Sequence, residues 1–432
     1  MIENKLSLSE KELPKHWYNI MPQIIHELPP SIDQHTGKII KPERLSHIIP
    51  KELIKQELIL GKYKSQELIT IPNEVLELYR TFRPTPLVRA HRLEKFLKTP
   101  AKIFYKREDV SPVGSHKLNT ALPQTYYAKK DSVETLVTDT GAGQWGTATA
   151  MATNFFGLKN IVFMTRKSYD DKPYRVAMMK LFGAKVISSP SNTTKAGKQA
   201  LKDKKNISGS LGIGMSEAVE TVIKNKKYRL ALGCMSNYAV LHQTIIGMET
   251  KKQFKKMEII PDIMIGCVGG GSNFAGFIYP FVKENLSKKT KIQFIAVESK
   301  SIPTFEKGEY KYDFQDFLGY MPMIKMYTLG HKFIPPKIHA GGLRYHGKTP
   351  TLSLLVKKGI VKTKSYYQEE VLQAGKIFAQ IEGIVPAPES CHAIKAAIDE
   401  AIKSRRENKT KTIAFNLSGN GLLDLKAYQN LL

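Results

Sequence analysis

The sequence predicts an α/β fold built on parallel sheets, and two observations carry that prediction. From Ala101 onward, apolar runs of strand length alternate with stretches of helical pattern. Several of these runs end in turns of small residues that lead straight into a helix. Strands alternating with helices imply parallel sheets covered on both faces. With 432 residues the chain can hold two or three domains and a large core.

The strand candidates lie at 103–105, 135–138, 160–164, 184–188, 263–268, 292–297 and 412–415. Helical stretches at 148–156, 173–182 and 274–285 fall between them. Residues 1–80 lack a clear alternation and include Pro29, Pro30 and Pro50, which predicts a layer of short helices and loops.

Composition narrows the function classes. No apolar run is long enough to span a membrane. The start, Met1-Ile2-Glu3-Asn4-Lys5, is polar and lacks the apolar core of a signal peptide. Cys234, Cys267 and Cys391 are far apart and form no CxxC pair, so a reducing cytoplasm is expected. A net charge of +27 raises nucleic acid as a partner. The basic clusters at 224–227, 251–256, 288–291 and 403–411 are instead spread along the chain, with no basic arm or zinc-finger spacing. They read as solvated surface with a general preference for small anions. Neither a nucleic-acid nor a membrane partner is expected.

Ligands of such folds bind beyond the carboxyl ends of strands, so the turns after strands are where chemistry is sought. The run Cys267-Val268-Gly269-Gly270-Gly271-Ser272-Asn273 passes from a strand through three glycines into a helix. Glycine lets backbone approach a ligand closely. A helix N-terminus offers free N–H groups and partial positive charge, so the pattern is an anion cradle. It matches neither the dinucleotide fingerprint nor the Walker loop.

A second turn is Thr138-Asp139-Thr140-Gly141-Ala142-Gly143-Gln144. Its N–H groups and the Thr140 hydroxyl suit a carboxylate. Asp139 suits either acid–base work or a helix N-cap. In a third, Pro112-Val113-Gly114-Ser115-His116-Lys117-Leu118-Asn119, Ser115 is expected to cap a helix with Lys117 in its first turn. The helix dipole there favours a neutral amine, as Schiff-base chemistry requires. The last strand ends in Ser418-Gly419-Asn420-Gly421. A reactive lysine, an anion cradle, a carboxylate loop and a strand-end serine are the parts that a pyridoxal-phosphate (PLP) enzyme needs.

These same residues carry a family resemblance. Gly114-Ser115-His116-Lys117-Leu118-Asn119 resembles the PLP-lysine motif of tryptophan synthase β chains. Thr140-Gly141-Ala142-Gly143-Gln144 is similar to their substrate-carboxylate loop, and Gly269-Gly270-Gly271-Ser272-Asn273 to their phosphate loop. Arg83-Pro84-Thr85-Pro86-Leu87, Glu382-Gly383-Ile384-Val385-Pro386-Ala387-Pro388-Glu389-Ser390 and Asn416-Leu417-Ser418-Gly419 complete the set in the family's order. Trp145, the long N-terminal extension and Ile338-His339-Ala340-Gly341-Gly342-Leu343-Arg344-Tyr345-His346-Gly347 resemble the second type of these chains.

The resemblance implies the fold-type II PLP architecture of two parallel-sheet α/β domains. It implies an extension over 1–82, one domain over 116–235, and a PLP-phosphate-binding domain from 83–115 and 236–432. It implies a homodimer, and it leaves open whether a tryptophan synthase α chain is a partner or indole is used without one. The activity implied is that of a carbon–oxygen lyase of aromatic amino-acid biosynthesis. L-serine or O-phospho-L-serine would lose its β-substituent to give an aminoacrylate, which indole attacks to give L-tryptophan.

Roles follow by the same implication. Lys117 holds PLP and moves the Cα proton. His116, Gly269, Gly270, Gly271, Ser272 and Asn273 hold the phosphate. Asn119 lies near the phenolic oxygen, and Ser418 and Glu389 near the pyridine nitrogen. Thr140, Gly141, Ala142, Gly143 and Gln144 bind the substrate carboxylate. A monovalent cation, Na+ or K+, is expected on carbonyls near Val268, Leu343 and Tyr345.

Two residues depart from the family pattern. Asp139 stands where the family carries a catalytic glutamate, so its oxygens sit about 1 Å further back, a displacement to which catalysis is sensitive. Arg344 replaces an aspartate near the substrate's β-hydroxyl; a guanidinium suits a phosphate leaving group and favours O-phospho-L-serine. His339 and His346 match no zinc spacing. Two other readings stay open: a fold-type II lyase with another acceptor, such as a sulfhydrylase or serine/threonine deaminase, and a PLP-binding subunit without catalysis.

Overall fold

The computed structural model describes residues 4–432. Short helices of the N-terminal layer are interleaved with β1 (Lys5–Leu6), β2 (His16–Tyr18) and β3 (Leu68–Thr70). The sequence signals only helices and loops there. Strands of two or three residues are too short for an alternation to register. Next come β4 (Leu87–Arg89), β5 (Lys102–Arg107), β6 (Thr135–Thr140), β7 (Lys159–Thr165), β8 (Lys185–Ser189) and β9 (Tyr228–Leu230). The chain continues through β10 (Ile263–Cys267), β11 (Gln293–Ser299), β12 (Glu309–Phe314), β13 (Met323–Thr328), β14 (Val361–Tyr366) and β15 (Thr412–Leu417).

A seven-stranded sheet runs β1-β4-β5-β15-β10-β11-β14, and a four-stranded sheet runs β8-β7-β6-β9. The smaller sheet is parallel throughout. The larger is parallel from β5 to β14 and takes β4 and β1 antiparallel at one edge.

The long apolar runs follow from burial on both faces. Successive side chains of a strand point to opposite sides. Ile263, Ile265, Ile295, Val297, Ile413 and Phe415 pack on one face with Phe378 and Ile394, from helices Gln368–Glu382 and Ser390–Arg406. Met264, Phe294, Ala296 and Ala414 pack on the other with Phe277, from helix Ser272–Leu286. In the smaller sheet, Val137, Phe163 and Leu230 meet Met215 and Val219 of helix Leu211–Ile223 and Ile48 and Leu53 of the N-terminal layer. The basic clusters fall at helix ends and in the loops after them. Lys224, Lys251 and Lys256 pair there with Glu220, Glu284 and Glu12. No helix among the described residues is long and apolar enough to cross a membrane.

A fully buried ionic array joins these parts. Arg83 spans two carboxylates. Its Nη1 and Nη2 donate to Glu108 at 2.9 Å each, and Nε and Nη2 donate to Glu249 at 2.8 and 3.0 Å. Lys106 Nζ donates to Glu249 Oε2 at 2.7 Å, to the Thr85 carbonyl and to Gln253. Two cations face two anions, and the side chains of all four are 0% exposed. Burial raises the Glu108 pKa, but the Arg83 charge outweighs it and holds the carboxyl at about 2. Arg83→Met is therefore expected to cost about 3–5 kcal/mol of unfolding free energy, because it strands buried carboxylates. Arg44→Met breaks only the half-exposed pair with Asp33 and is expected to cost less than about 1 kcal/mol. Chemical denaturation of the two variants checks the ordering.

Candidate active site

The turns after β5, β6, β10 and β15 all lie at carboxyl ends of parallel strands. A cavity of about 60 Å³ opens at the turns after β5 and β6, with Lys117, Asp139, Thr140, Cys234, Gly342 and Tyr345 in its wall, and the β10 glycines pack behind Cys234 and Gly342. The sequence reading missed a fifth contributor, the turn after β9, which brings Gly233 and Cys234. β9 has three residues, but the apolar run Leu230-Ala231-Leu232 before Gly233 is a signal that could have found it.

Lys117 occupies the N-cap position of helix Leu118–Lys130, with φ −62° and ψ −30°. Ser115 does not cap this helix, contrary to the sequence expectation. Its hydroxyl has no protein partner, and its backbone is tied to Ser111 Oγ and bridged to Gly419. Lys117 Nζ donates to the Gly233 carbonyl at 2.7 Å. Burial in the cleft lowers its pKa, against the opposing effects of Cys234 and Asp139. That favours the free amine, which is the nucleophilic form.

Asp139 is no helix cap. It is the penultimate residue of β6, and Gly143 holds the N-cap position of helix Gln144–Phe156, at φ +95°. Burial pushes the Asp139 carboxyl up to about 7. The Thr140 hydroxyl accepts from Gly146 N–H at 3.2 Å and so secures the first turn of that helix. The N–H groups of Ala142, Gly143 and Gln144 precede the first helical hydrogen bond, in which Thr147 N–H meets the Gly143 carbonyl. Gly141 packs against Gly341, whose carbonyl lies 2.8 Å from where a Cβ on Gly141 would sit.

The glycine cradle has a steric cause. A Cβ on Gly269 would fall 2.1 Å from the Gly342 carbonyl oxygen, and Gly271 has φ +105°. Gly271 stands at the N-cap of helix Ser272–Leu286. Three buried polar atoms here lack a protein partner: His116 Nδ1, Ser272 Oγ and Glu389 Oε2. A phosphorylated cofactor offers acceptor oxygens to His116 and Ser272, beside the glycine N–H groups, so these residues fit pyridoxal phosphate. Burial holds the His116 imidazole at a pKa of about 3, hence neutral and able to donate from one nitrogen. Ser418 Oγ lies 2.8 Å from Ser390 Oγ and 3.4 Å from Cys267 Sγ, and Glu389 Oε1 accepts Gly342 N–H at 2.8 Å.

Asn119 is committed to the buried ionic array. Its Oδ1 accepts from Arg83, and its Nδ2 donates to Glu108 and Gln243. The Asn273 amide donates to the Cys267 carbonyl at 2.9 Å and its Oδ1 accepts from Asn416, so it shapes the loop from within. Arg344 is buried outside the cavity wall. One Nη donates to the Pro335 carbonyl at 3.1 Å, and Nε has no protein partner. The Val268 carbonyl, expected to face a monovalent cation, is faced by Lys348 Nζ at 3.4 Å. Tyr345 adds its side chain to the cavity wall and donates from its hydroxyl to the Gln315 carbonyl at 2.6 Å. His346 meets the Phe314 carbonyl at 2.9 Å, and no metal-binding cluster occurs among the described residues.

Comparison with known proteins shows the family. A family model described as pyridoxal-phosphate dependent enzyme matches residues 78–419. The chain is 54% identical over 432 residues to a tryptophan synthase β chain of Pyrococcus horikoshii, with 100% of this chain and 93% of the relative covered. It is 53% identical over 433 residues to tryptophan synthase β chain 2 of Aeropyrum pernix, with 99% and 95% covered. A solved threonine deaminase from T.th. superposes with a TM-score of 0.58 over 80% of this chain and 97% of its own; at 19% identity the likeness is one of fold alone.

The raised pKa of Asp139 has a consequence for stability. An unfolded aspartate titrates near ~4, and the folded one near about 7. The protonated carboxyl therefore stabilises the fold below about pH 4, and that contribution is lost as pH rises through about 7. Asp139→Asn does not titrate. Thermal melts of the cofactor-free protein across this window are expected to fall less steeply in the variant than in the wild type.

Proposed function

Because the chain belongs to the tryptophan synthase β chain family of pyridoxal-phosphate-dependent enzymes, we propose that its cavity joins indole to the three-carbon unit of a serine-type donor. The reaction is the pyridoxal-phosphate-dependent formation of L-tryptophan. The observation that carries this reading is the meeting, on one cavity, of Lys117, the Asp139 carboxyl and the first turn of helix Gln144–Phe156. The enzyme is then a lyase acting on the donor's carbon–oxygen bond.

Pyridoxal phosphate, when bound, supplies an electron sink that lets an amino acid lose its Cα proton and its β-substituent. The protein supplies the rest. Lys117 Nζ would hold the cofactor, and its lowered basicity suits it to take the Cα proton and return it. His116, Ser272 and the N–H groups of the glycine loop would receive the phosphate. The free N–H groups ahead of helix Gln144–Phe156 take the donor's carboxylate, with the helix dipole favouring negative charge there. Ser418 would lie on the pyridine side. A hydroxyl is a weak partner for that nitrogen and leaves it largely unprotonated, which favours elimination over transamination. Asp139 is a buried acceptor for the indole N–H. Trp145, Leu211, Met215 and Leu232 supply an apolar wall that fits a flat aromatic ring and excludes water.

The donor is L-serine or O-phospho-L-serine. The buried Arg344 guanidinium, two residues from Gly342 in the cavity wall and with a free Nε, supports the phosphorylated one. Partners on this reading are a second copy of the chain and a tryptophan synthase α chain. The compartment is the cytoplasm, in keeping with three free cysteines.

One assay tests the reading: tryptophan formation from indole with each donor. Wild type is expected to form tryptophan and to prefer O-phospho-L-serine, with the preference lost in Arg344→Ala. Asp139→Asn is expected to slow the indole step by about 10²–10⁴-fold while sparing release of the donor's β-substituent. Pyruvate or cysteine as the sole product would favour a deaminase or sulfhydrylase, and cofactor binding with no turnover would favour a non-catalytic subunit. A preference for L-serine unchanged in Arg344→Ala would remove Arg344 from donor selection.

A further inference from the structure

Lys348 is a buried lysine beside the glycine loop that the chemistry above leaves without a task; burial lowers its pKa, and its ion pair with Glu298 opposes that. Its Nζ lies 3.4 Å from the Val268 carbonyl oxygen and 3.2 Å from Glu298 Oε2. It also lies 5.3 Å from the centre of the Phe305 ring. The side chains of Lys348 and Glu298 are 1% and 2% exposed. Val268 is the residue immediately before the cradle. The next N–H along, that of Thr349, donates to the Gly270 carbonyl at 2.8 Å. Residues 348 and 349 thus brace the loop on both sides of Gly269. Glu298 is held from behind, accepting from Phe305 N–H at 3.0 and 3.1 Å and from Glu306 N–H at 3.3 Å.

This arrangement does not fit the exchangeable Na+ or K+ expected near Val268, Leu343 and Tyr345. A carbonyl oxygen, a carboxylate and an aromatic face are partners that a monovalent cation takes. Here a tethered ammonium already holds them. A free cation on the same carbonyl would sit within a few ångströms of that ammonium, out of water, where like charges repel strongly. We propose that the Lys348 ammonium replaces the exchangeable monovalent cation at the base of the phosphate loop, so that the enzyme works without added Na+ or K+. The replacement acts through the loop carbonyls, which makes Lys348 a positioning residue. The proposal rests on the cofactor-holding role of this loop, whichever acceptor is used.

The test compares holoenzyme in tetramethylammonium buffer with holoenzyme given Na+, K+ or Cs+ at equal ionic strength. Three quantities are read: the cofactor absorption band, the thermal midpoint and the rate of tryptophan formation. Wild type is expected to change by less than about twofold in rate and to keep its band and midpoint. Lys348→Ala is expected to lose about tenfold in rate and to recover most of it, with its midpoint, when K+ or ammonium is added. Lys348→Gln serves the same arm if the alanine variant does not fold. Stimulation of wild type by about tenfold or more, or a variant that no cation restores, overturns the proposal. A merely structural ion pair would give the second result. If no tryptophan forms at all, the acceptor reading fails, while the band and the midpoint still decide the cation question.

Discussion

The buried array of Arg83, Lys106, Glu108 and Glu249 sets the platform on which the reactive lysine stands. It joins segments that are far apart in sequence: the approach to β4, the end of β5 and the helix Ile245–Lys256. Asn119 enters the same array two residues after Lys117. Two positive and two negative charges balance, the Glu108 carboxylate also accepts from Thr85 and Asn119, and Lys106 donates to Gln253. Desolvation of four ions is costly, and only such complete pairing offsets it. Removing one member leaves an unpaired charge under the active site, so this array constrains both stability and the position of Lys117.

On that platform the parallel sheets do a directional job. Parallel strands of a sheet all end on the same side; the turns after β5, β6 and β9 line the cavity, and those after β10 and β15 pack against its wall at Cys234 and Gln144. Each turn brings a different chemistry. The β5 turn brings an amine, the β6 turn a buried carboxyl and a helix start, the β10 turn a glycine cradle, and the β15 turn a serine. Burial then tunes them in opposite senses, lowering the basicity of Lys117 and raising the Asp139 carboxyl to about 7. One environment thereby favours a neutral nucleophile and a carboxyl poised near neutral pH.

Much of this was legible in the sequence wherever a signal is local. The strands of five or more residues around Ile161, Ile265, Ile295 and Ile413 announce themselves by apolar runs, and the glycine loop by composition. What stayed hidden is non-local or short. Arg83 meets Glu249 across 166 positions, and no spacing rule connects them. β9 has three residues, so its turn, with the Gly233 carbonyl that holds Lys117, gave little pattern. Asn119 has no local signal for its partners: its side chain bonds to Arg83 and Glu108 of the array and to Gln243, 124 positions away. Lys348 looks like one lysine among many until its neighbours, Val268 and Glu298, are seen around it.

The central claim is that Lys117 is the cofactor-holding lysine. It is most directly tested by treating holoenzyme with borohydride and mapping the peptides by mass. The account predicts a reduced pyridoxyl group on Lys117, absent from Lys117→Ala. A pyridoxyl group on Lys106, on Lys348 or on a surface lysine, with Lys117 unmodified, would contradict it.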